Sequence, residues 1–181
     1  EDPGGPGWGM ESISPGMMAF IAQFGGDAKL APVARDRVDE VSHAIASAMA
    51  SSDVVVTIGG VSVGEHDHVR TALERAGVTL DFWKVAIKPG KPVALGALAR
   101  DGHTVRVLGL PGNPSSAALT FALFAAPLIR AMQGDLRPVP AEIDARLSRA
   151  VKRAPGRTEF LRVRLSRAER GLVADPLANQ A

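Results

Sequence analysis

The spacing of apolar residues along the chain changes repeatedly between a helical period and a strand period. Apolar positions three and four apart predict a helix over Pro15–Phe24 and another that begins at Asp36, its expected N-cap. A continuous run of apolar and β-branched residues over 54–58 predicts a strand buried on both faces, and residues 105–110 predict another buried strand. Because strands alternate with helices, we predict an α/β fold whose mostly parallel sheet is flanked by helices.

The remaining elements of this region follow from the same patterns. They are a short strand over 29–33, a helix over 68–76, strands over 81–87 and 92–98, and a long helix over 115–132. The long helix has no polar face, which indicates burial by a neighbouring domain or an oligomer interface. Pro127 is expected to kink it.

Beyond Pro138 and Pro140 the pattern changes to alternating polar and apolar residues. Three such segments, over 142–149, 159–165 and 172–175, predict a small antiparallel β unit. We therefore divide the chain into an α/β domain over residues 1–134 and a linker with a partial β domain over residues 135–181.

The composition is that of a soluble globular protein and excludes several classes of site. The 181 residues include no cysteine, which excludes disulfides, thiolate metal sites and a cysteine nucleophile, and which fits a cytoplasmic location. No apolar run reaches the roughly 18 residues that a membrane span needs, so we expect no membrane partner. Aromatic residues make up 4% of the chain, so we expect no stacking platform for nucleic acid.

Residues 59–67 form a glycine-containing loop between a predicted strand and a predicted helix. Glycines at 59, 60 and 64 would let backbone N–H groups approach a phosphate, and Ser62 would add a hydroxyl donor. The alternative is a tight turn in which Asp67 caps the following helix.

A second loop, over 109–116, leads from a strand into the long helix. Asn113 suits the N-cap and Pro114 the first helical position. The free N–H groups of such a helix end would favour an anion near Gly112, Asn113 and Ser115. The alternative is a well-capped helix with no ligand.

Two lysines, Lys88 and Lys91, flank a rigid Pro-Gly turn. They could neutralise a phosphate or a tetrahedral oxyanion, or they could simply face solvent. Two strand-to-helix loops and a lysine turn in one α/β domain indicate a single anion-binding rim at the carboxyl edge of the sheet.

Carboxylates beside a phosphate site commonly hold Mg²⁺ through oxygen ligands. Asp36 and Asp67 are the candidates, with Glu65 third, and helix capping is the alternative for both aspartates. His66 and His68 have no partner at a zinc spacing, so we interpret both as surface residues.

Three segments in register, GGVSVGEHD (59–67), FWKVAIKPGKP (82–92) and LGLPGNPSSA (108–117), closely resemble the molybdopterin molybdenumtransferase family, which includes the gephyrin E domain. The resemblance runs from about residue 14 to 132 and more weakly to 179. It implies a Rossmann-like, three-layer molybdopterin-binding domain, the third of the family's four domains, followed by the start of the fourth.

The resemblance also implies a function in molybdenum cofactor biosynthesis. Such a transferase takes adenylylated molybdopterin and molybdate, releases AMP and inserts molybdenum, assisted by Mg²⁺. It implies a homodimer and contact with other cofactor-biosynthesis enzymes. The match assigns Asp67 and Asp36 to the functional and metal-binding carboxylates. It assigns the remaining positions to ligand or oxyanion binding: Gly59, Gly60, Ser62, Gly64, Lys88, Lys91, Pro111 and Pro114.

Two other functions stay open. One is a molybdopterin adenylyltransferase of the same fold, although Gly-Gly-Val-Ser-Val-Gly replaces the Gly-Gly-Thr-Gly usual there. The other is a non-catalytic scaffold module. The chain departs from the family pattern at His68, where tyrosine is common, and in the acidic segment expected before the first helix. It resembles only part of the four-domain family, so this polypeptide alone is expected to bind ligand and to need further domains for turnover.

Overall fold

The computed structural model describes residues 13–60, 68–100 and 102–178. The elements of the α/β region are α1 (Ile13–Gln23), α2 (Val38–Met49), β1 (Val54–Ile58), α3 (His68–Arg75), β2 (Thr79–Phe82), β3 (Ile87–Lys88), β4 (Ala94–Arg100), β5 (His103–Leu110), α4 (Pro114–Thr120) and α5 (Ala126–Met132). The C-terminal elements are β6 (Arg146–Leu147), β7 (Thr158–Glu159), β8 (Val163–Ala168) and β9 (Gly171–Pro176).

The central sheet has the strand order β1-β5-β4-β2. β1 pairs with β5 in parallel, whereas β4 is antiparallel to both β5 and β2. The predicted α/β class, with a sheet flanked by helices and a small C-terminal β region, is confirmed, but the sheet is mixed in direction rather than mostly parallel. The cause is a tight hairpin between β4 and β5, in which Arg100 pairs with His103 and Gly102 has a φ of +77°.

Side chains alternate between the two faces of the sheet along β1 and β5. Val55 and Val107 pack in one cluster with α2 and α3. Leu108 and Leu110 pack in a second cluster with α1 and with the helix that follows β5, around the almost fully buried Phe121. Helices therefore cover both faces, which makes three layers.

α4 and α5 are two parts of one helix, joined by a wider π turn over Phe121–Ala125. This turn lies just before Pro127, whose ring would clash with the carbonyl four residues earlier in a regular α-helix. This helix has 19 residues and a mean hydropathy of 1.4, so it is long and apolar enough to cross a membrane. The sequence analysis did not identify it, because it searched for an uninterrupted apolar run. Part of this apolar surface is buried within the fold, where Phe121 stacks on Phe20 at 5.6 Å between ring centroids and Phe124 lies 6.0 Å from Phe82. A third of the apolar window is buried, so the fold covers the helix only in part.

The C-terminal strands form a three-stranded sheet of order β6-β9-β8, in which β6 and β9 are parallel and β8 and β9 antiparallel. β7 lies outside this sheet. It pairs in parallel with β3, so that Lys88 is opposite Glu159. The predicted strand over 159–165 is thus split, and its first part docks on the α/β region. The division at residues 134 and 135 stays a prediction.

Candidate functional site

The first and second loops begin in backbone contact. β1 and β5 are parallel neighbours, so the loops that follow them leave the same edge of the sheet. The N–H of Gly59 donates to the carbonyl of Leu110 at 3.0 Å. A Cβ on Gly112 would lie 3.3 Å from the Cα of Gly59, whose φ is +80°. Gly112 therefore favours the close approach of the two loops because it has no Cβ, and Gly59 favours glycine because of its positive φ.

Gly60 turns the chain toward α3 with a φ of +67°, and a side chain there would collide with Val69. The rest of this loop, residues 61–67, lies outside the described residues. Ser62, Gly64 and Asp67 therefore remain predictions.

The second loop ends in a capped helix. The Asn113 carboxamide oxygen accepts a hydrogen bond from the N–H of Ser116 at 3.1 Å, and Pro114 occupies the first turn. This capping confirms the predicted roles of Asn113 and Pro114 in the local fold. It also fixes Ser115 at the helix N-terminus, where it is half-buried.

The lysine turn packs against the same helix. Gly90 has a φ of +104°, and a Cβ there would lie 2.5 Å from the Cγ2 of Thr120. Thr120 is fully buried and donates its hydroxyl to the carbonyl of Ser116 at 2.8 Å. The second and third loops are therefore held together by helix α4.

A cleft of about 310 Å³ lies where these loops meet the C-terminal unit. Pro89 and Ser115 line it from the α/β side, and Phe160, Leu161 and Arg162 line it from the segment after β7. The sequence prediction missed these last three residues, because their alternation was interpreted as a solvated strand. The one feature of the sequence that could have indicated a binding segment is Glu159-Phe160-Leu161-Arg162, in which two apolar residues lie between two charged ones.

Lys88 has a partner within the protein. Its Nζ lies 3.4 Å from Oε1 of Glu159, whose side chain is 13% exposed. The other carboxylate oxygen, Oε2, lies 2.7 Å from Nε of Arg153. Lys91, by contrast, shapes the turn through its backbone carbonyl, which accepts hydrogen bonds from Val85 and Val93.

Asp36 does not cap α2, which corrects the prediction. The N-cap is Arg37, and its side chain makes no capping hydrogen bond. Asp36 instead places Oδ1 2.9 Å from Nδ1 of His68, the first residue of α3. His68, predicted to be a surface residue, is 37% exposed and pairs with this carboxylate.

The donor chemistry of Asp36 fits the Mg²⁺ that the family resemblance implies. Its carboxylate is 88% exposed and has a second oxygen beyond the one that faces His68. Mg²⁺ in proteins commonly takes one or two carboxylates and completes its shell with water and substrate phosphate. Within residues 13–60, 68–100 and 102–178 no three histidine, aspartate or glutamate side chains are grouped to hold a metal by themselves. Asp36 can thus supply one ligand.

Comparison with known proteins finds a matching family for each of the two parts of the chain. Residues 7–131 match the family described as "Probable molybdopterin binding domain", and residues 144–181 match "MoeA C-terminal region (domain IV)". A molybdopterin molybdenumtransferase of Haemophilus influenzae is 42% identical over 128 residues, which are 70% of this chain and 30% of that protein. One of Staphylococcus aureus (strain COL) is 30% identical over 165 residues, 91% of this chain and 38% of that protein. The chain thus spans about a third of the length of these relatives.

Among solved structures, a molybdenum cofactor biosynthesis protein from Pyrococcus furiosus superposes with a TM-score of 0.63 at 21% identity. The match covers 94% of this chain and 52% of that one. At this identity the likeness speaks for the fold alone.

Proposed function

This chain belongs to the family of probable molybdopterin-binding domains and continues into a MoeA-type domain IV, and on that premise we propose that it acts in molybdenum cofactor biosynthesis. The reaction we propose is the insertion of molybdenum from molybdate into adenylylated molybdopterin, with hydrolysis of the phosphoanhydride and release of AMP. The observation that carries the proposal is the approach of the three predicted loops, with Gly59 against Gly112 and with Pro89 and Ser115 lining one cleft.

Each loop contributes chemistry suited to an anhydride between two phosphates. Backbone N–H groups after Gly59 and at the start of α4 can bind phosphate oxygens without a side chain in the way. Lys88 and Lys91 can neutralise the negative charge that grows on the leaving phosphate as water attacks phosphorus. The largely apolar cleft beside Ser115 and Phe160 excludes part of the solvent, which strengthens these interactions.

Asp36, together with Asp67, would hold Mg²⁺. When bound, the ion polarises phosphoryl oxygens and offsets their charge. Nδ1 of His68, the first residue of α3, lies 2.9 Å from Oδ1 of Asp36 and leaves the other carboxylate oxygen for the ion. We further propose that the protein works in the cytoplasm, as a homodimer, and in contact with other enzymes of cofactor synthesis.

The experiment is a measurement of AMP released from adenylylated molybdopterin by this chain with Mg²⁺, with and without molybdate. Molybdate-dependent release supports the proposal. Formation of pyrophosphate from ATP and molybdopterin would favour an adenylyltransferase instead. Ligand binding without either product would mean that further domains are needed, and the absence of binding would contradict the assignment.

A further inference from the structure

A well-buried carboxylate, that of Glu159, lies between two cations at the edge of the cleft. Its side chain is 13% exposed, whereas those of Lys88 and Arg153 are 53% and 40% exposed. Burying a carboxylate is costly unless its charge is paired. The two cations supply that pairing, one at each oxygen.

Glu159 comes from the C-terminal unit and reaches the lysine turn through the pairing of β7 with β3. The N–H of Thr158 donates to Ala86, and the N–H of Phe160 donates to Lys88, both at 2.8 Å. The parallel register sets Glu159 directly opposite Lys88. The contact between the two side chains is therefore built into the strand pairing.

The two ion pairs differ in length. The Arg153–Glu159 contact of 2.7 Å is that of a strong charge-assisted hydrogen bond, whereas the Lys88–Glu159 contact of 3.4 Å is longer than the usual range of about 2.7–2.9 Å. If the Lys88 ammonium moved away, the carboxylate would keep its shorter partner. Lys88 is half exposed and so is free to turn toward a ligand.

We propose that Glu159 sets the affinity of the site for its anionic ligand, by holding Lys88 until an oxyanion takes its place. The inference rests on the proposed function, which assigns Lys88 to phosphate or molybdate. A carboxylate that competes with the ligand lowers affinity, and a carboxylate that merely positions the lysine raises it. The two roles therefore predict opposite effects when the charge of Glu159 is removed.

Calorimetric titration of the folded chain with sodium molybdate distinguishes these roles. Glu159→Gln should bind molybdate about three- to tenfold more tightly than wild type, as expected from one partly screened charge pair. The gain should shrink as salt is added. Glu169→Gln, which removes an exposed carboxylate from the turn between β8 and β9, is the control for net charge and should leave the affinity close to that of wild type.

A second variant tests whether Glu159 competes with the ligand for Lys88, without changing Glu159 itself. Arg153→Gln removes one of the two cations beside the Glu159 carboxylate and leaves Lys88 as the other. Because Glu159 then holds Lys88 more strongly, molybdate binding should weaken. The matched control is Lys152→Gln, which removes the same charge from the adjacent residue. Arg153→Gln should weaken binding more than this control does. The comparison of Arg153→Gln with Lys152→Gln tests the inference even if Glu159→Gln fails to fold.

Unchanged or weaker binding by Glu159→Gln, or equal effects of Arg153→Gln and Lys152→Gln, would overturn the inference. Binding by neither wild type nor Glu159→Gln would overturn it as well. If wild type releases AMP and Glu159→Gln binds no more tightly, the inference fails and the proposed function stands. If Glu159→Gln binds molybdate more tightly but the chain does not bind adenylylated molybdopterin, the inference stands and the proposed function fails.

Discussion

At the scale of single residues, the proposed metal ligand Asp36 is a carboxylate in contact with an imidazole. The Asp36 side chain is 88% exposed and contacts His68 at 2.9 Å. The exposure of Asp36 indicates that its contribution to folding is small, so a loss of function on its replacement would report on ligand or metal binding.

Replacing Asp36 tests that role. Asp36→Asn keeps the shape and removes the charge, so AMP release should fall by about tenfold or more, while stability changes by less than about 0.5 kcal/mol. Assays of AMP and urea unfolding check the two parts. Asp39→Asn in the first turn of α2, which removes an exposed carboxylate paired with Arg75, is the control and should keep its activity. Equal activity of Asp36→Asn and wild type would remove Asp36 from the site.

A second residue-scale prediction concerns the contact between the loops. Gly112→Ala would bring a methyl group 3.3 Å from the Cα of Gly59, so the loops must separate. We expect a loss of about 1–2 kcal/mol in urea unfolding, together with lower AMP release. Gly16→Ala, which meets no atom within 4 Å and lies in α1, should be neutral or stabilising. Equal stability of the two variants would show that the loops do not need this approach.

At the scale of elements, the cap of α4 fixes the helix end that faces the cleft. Asn113→Ala removes the hydrogen bond to the N–H of Ser116 and should cost about 1 kcal/mol of unfolding free energy. Arg37→Ala is the matched control, because Arg37 is the N-cap of α2 and makes no capping bond with its side chain. Similar losses from both substitutions in urea unfolding would argue against a specific role for the Asn113 cap.

The end of α5 carries a charge network that gives a prediction about pH. The backbone N–H of Arg137 and the guanidinium of Arg130 hold the pKa of Asp135 below its ordinary value. A carboxyl group with a lowered pKa in the folded state stabilises the protein above its unfolded pKa, and this contribution disappears as the pH falls through the folded pKa. The stability difference between wild type and Asp135→Asn should therefore be present at neutral pH and shrink below about pH 4. A difference that stays constant with pH would contradict this account.

Elements with a long, uninterrupted pattern could be predicted from the sequence. The strand over 54–58 and the helix that ends at Met132 are found at the predicted places. The strand expected over 29–33 is absent from the described structure, since five residues without a partner strand gain little from their propensity. The hairpin between β4 and β5 was missed although Asp101-Gly102 is a typical hairpin turn sequence.

At the scale of the whole molecule, the cleft exists because the C-terminal unit returns to the lysine turn. The pairing of β7 with β3 brings Phe160 and Arg162 to the helix that begins at Pro114. Local patterns could predict the loops of the α/β region, since each loop follows its own strand. They could not predict this docking, because it depends on a contact between segments about seventy residues apart in sequence, whose entropic cost and partner choice leave no local signature.

The central claim, that three loops form one ligand site, is tested most directly by amide hydrogen exchange with mass spectrometry. The chain would be compared with and without adenylylated molybdopterin and Mg²⁺. We expect simultaneous protection of peptides that cover residues 56–67, 87–92 and 110–117, and no change in the turn between β8 and β9. Protection of only one of the three peptides, or protection elsewhere alone, would contradict the claim.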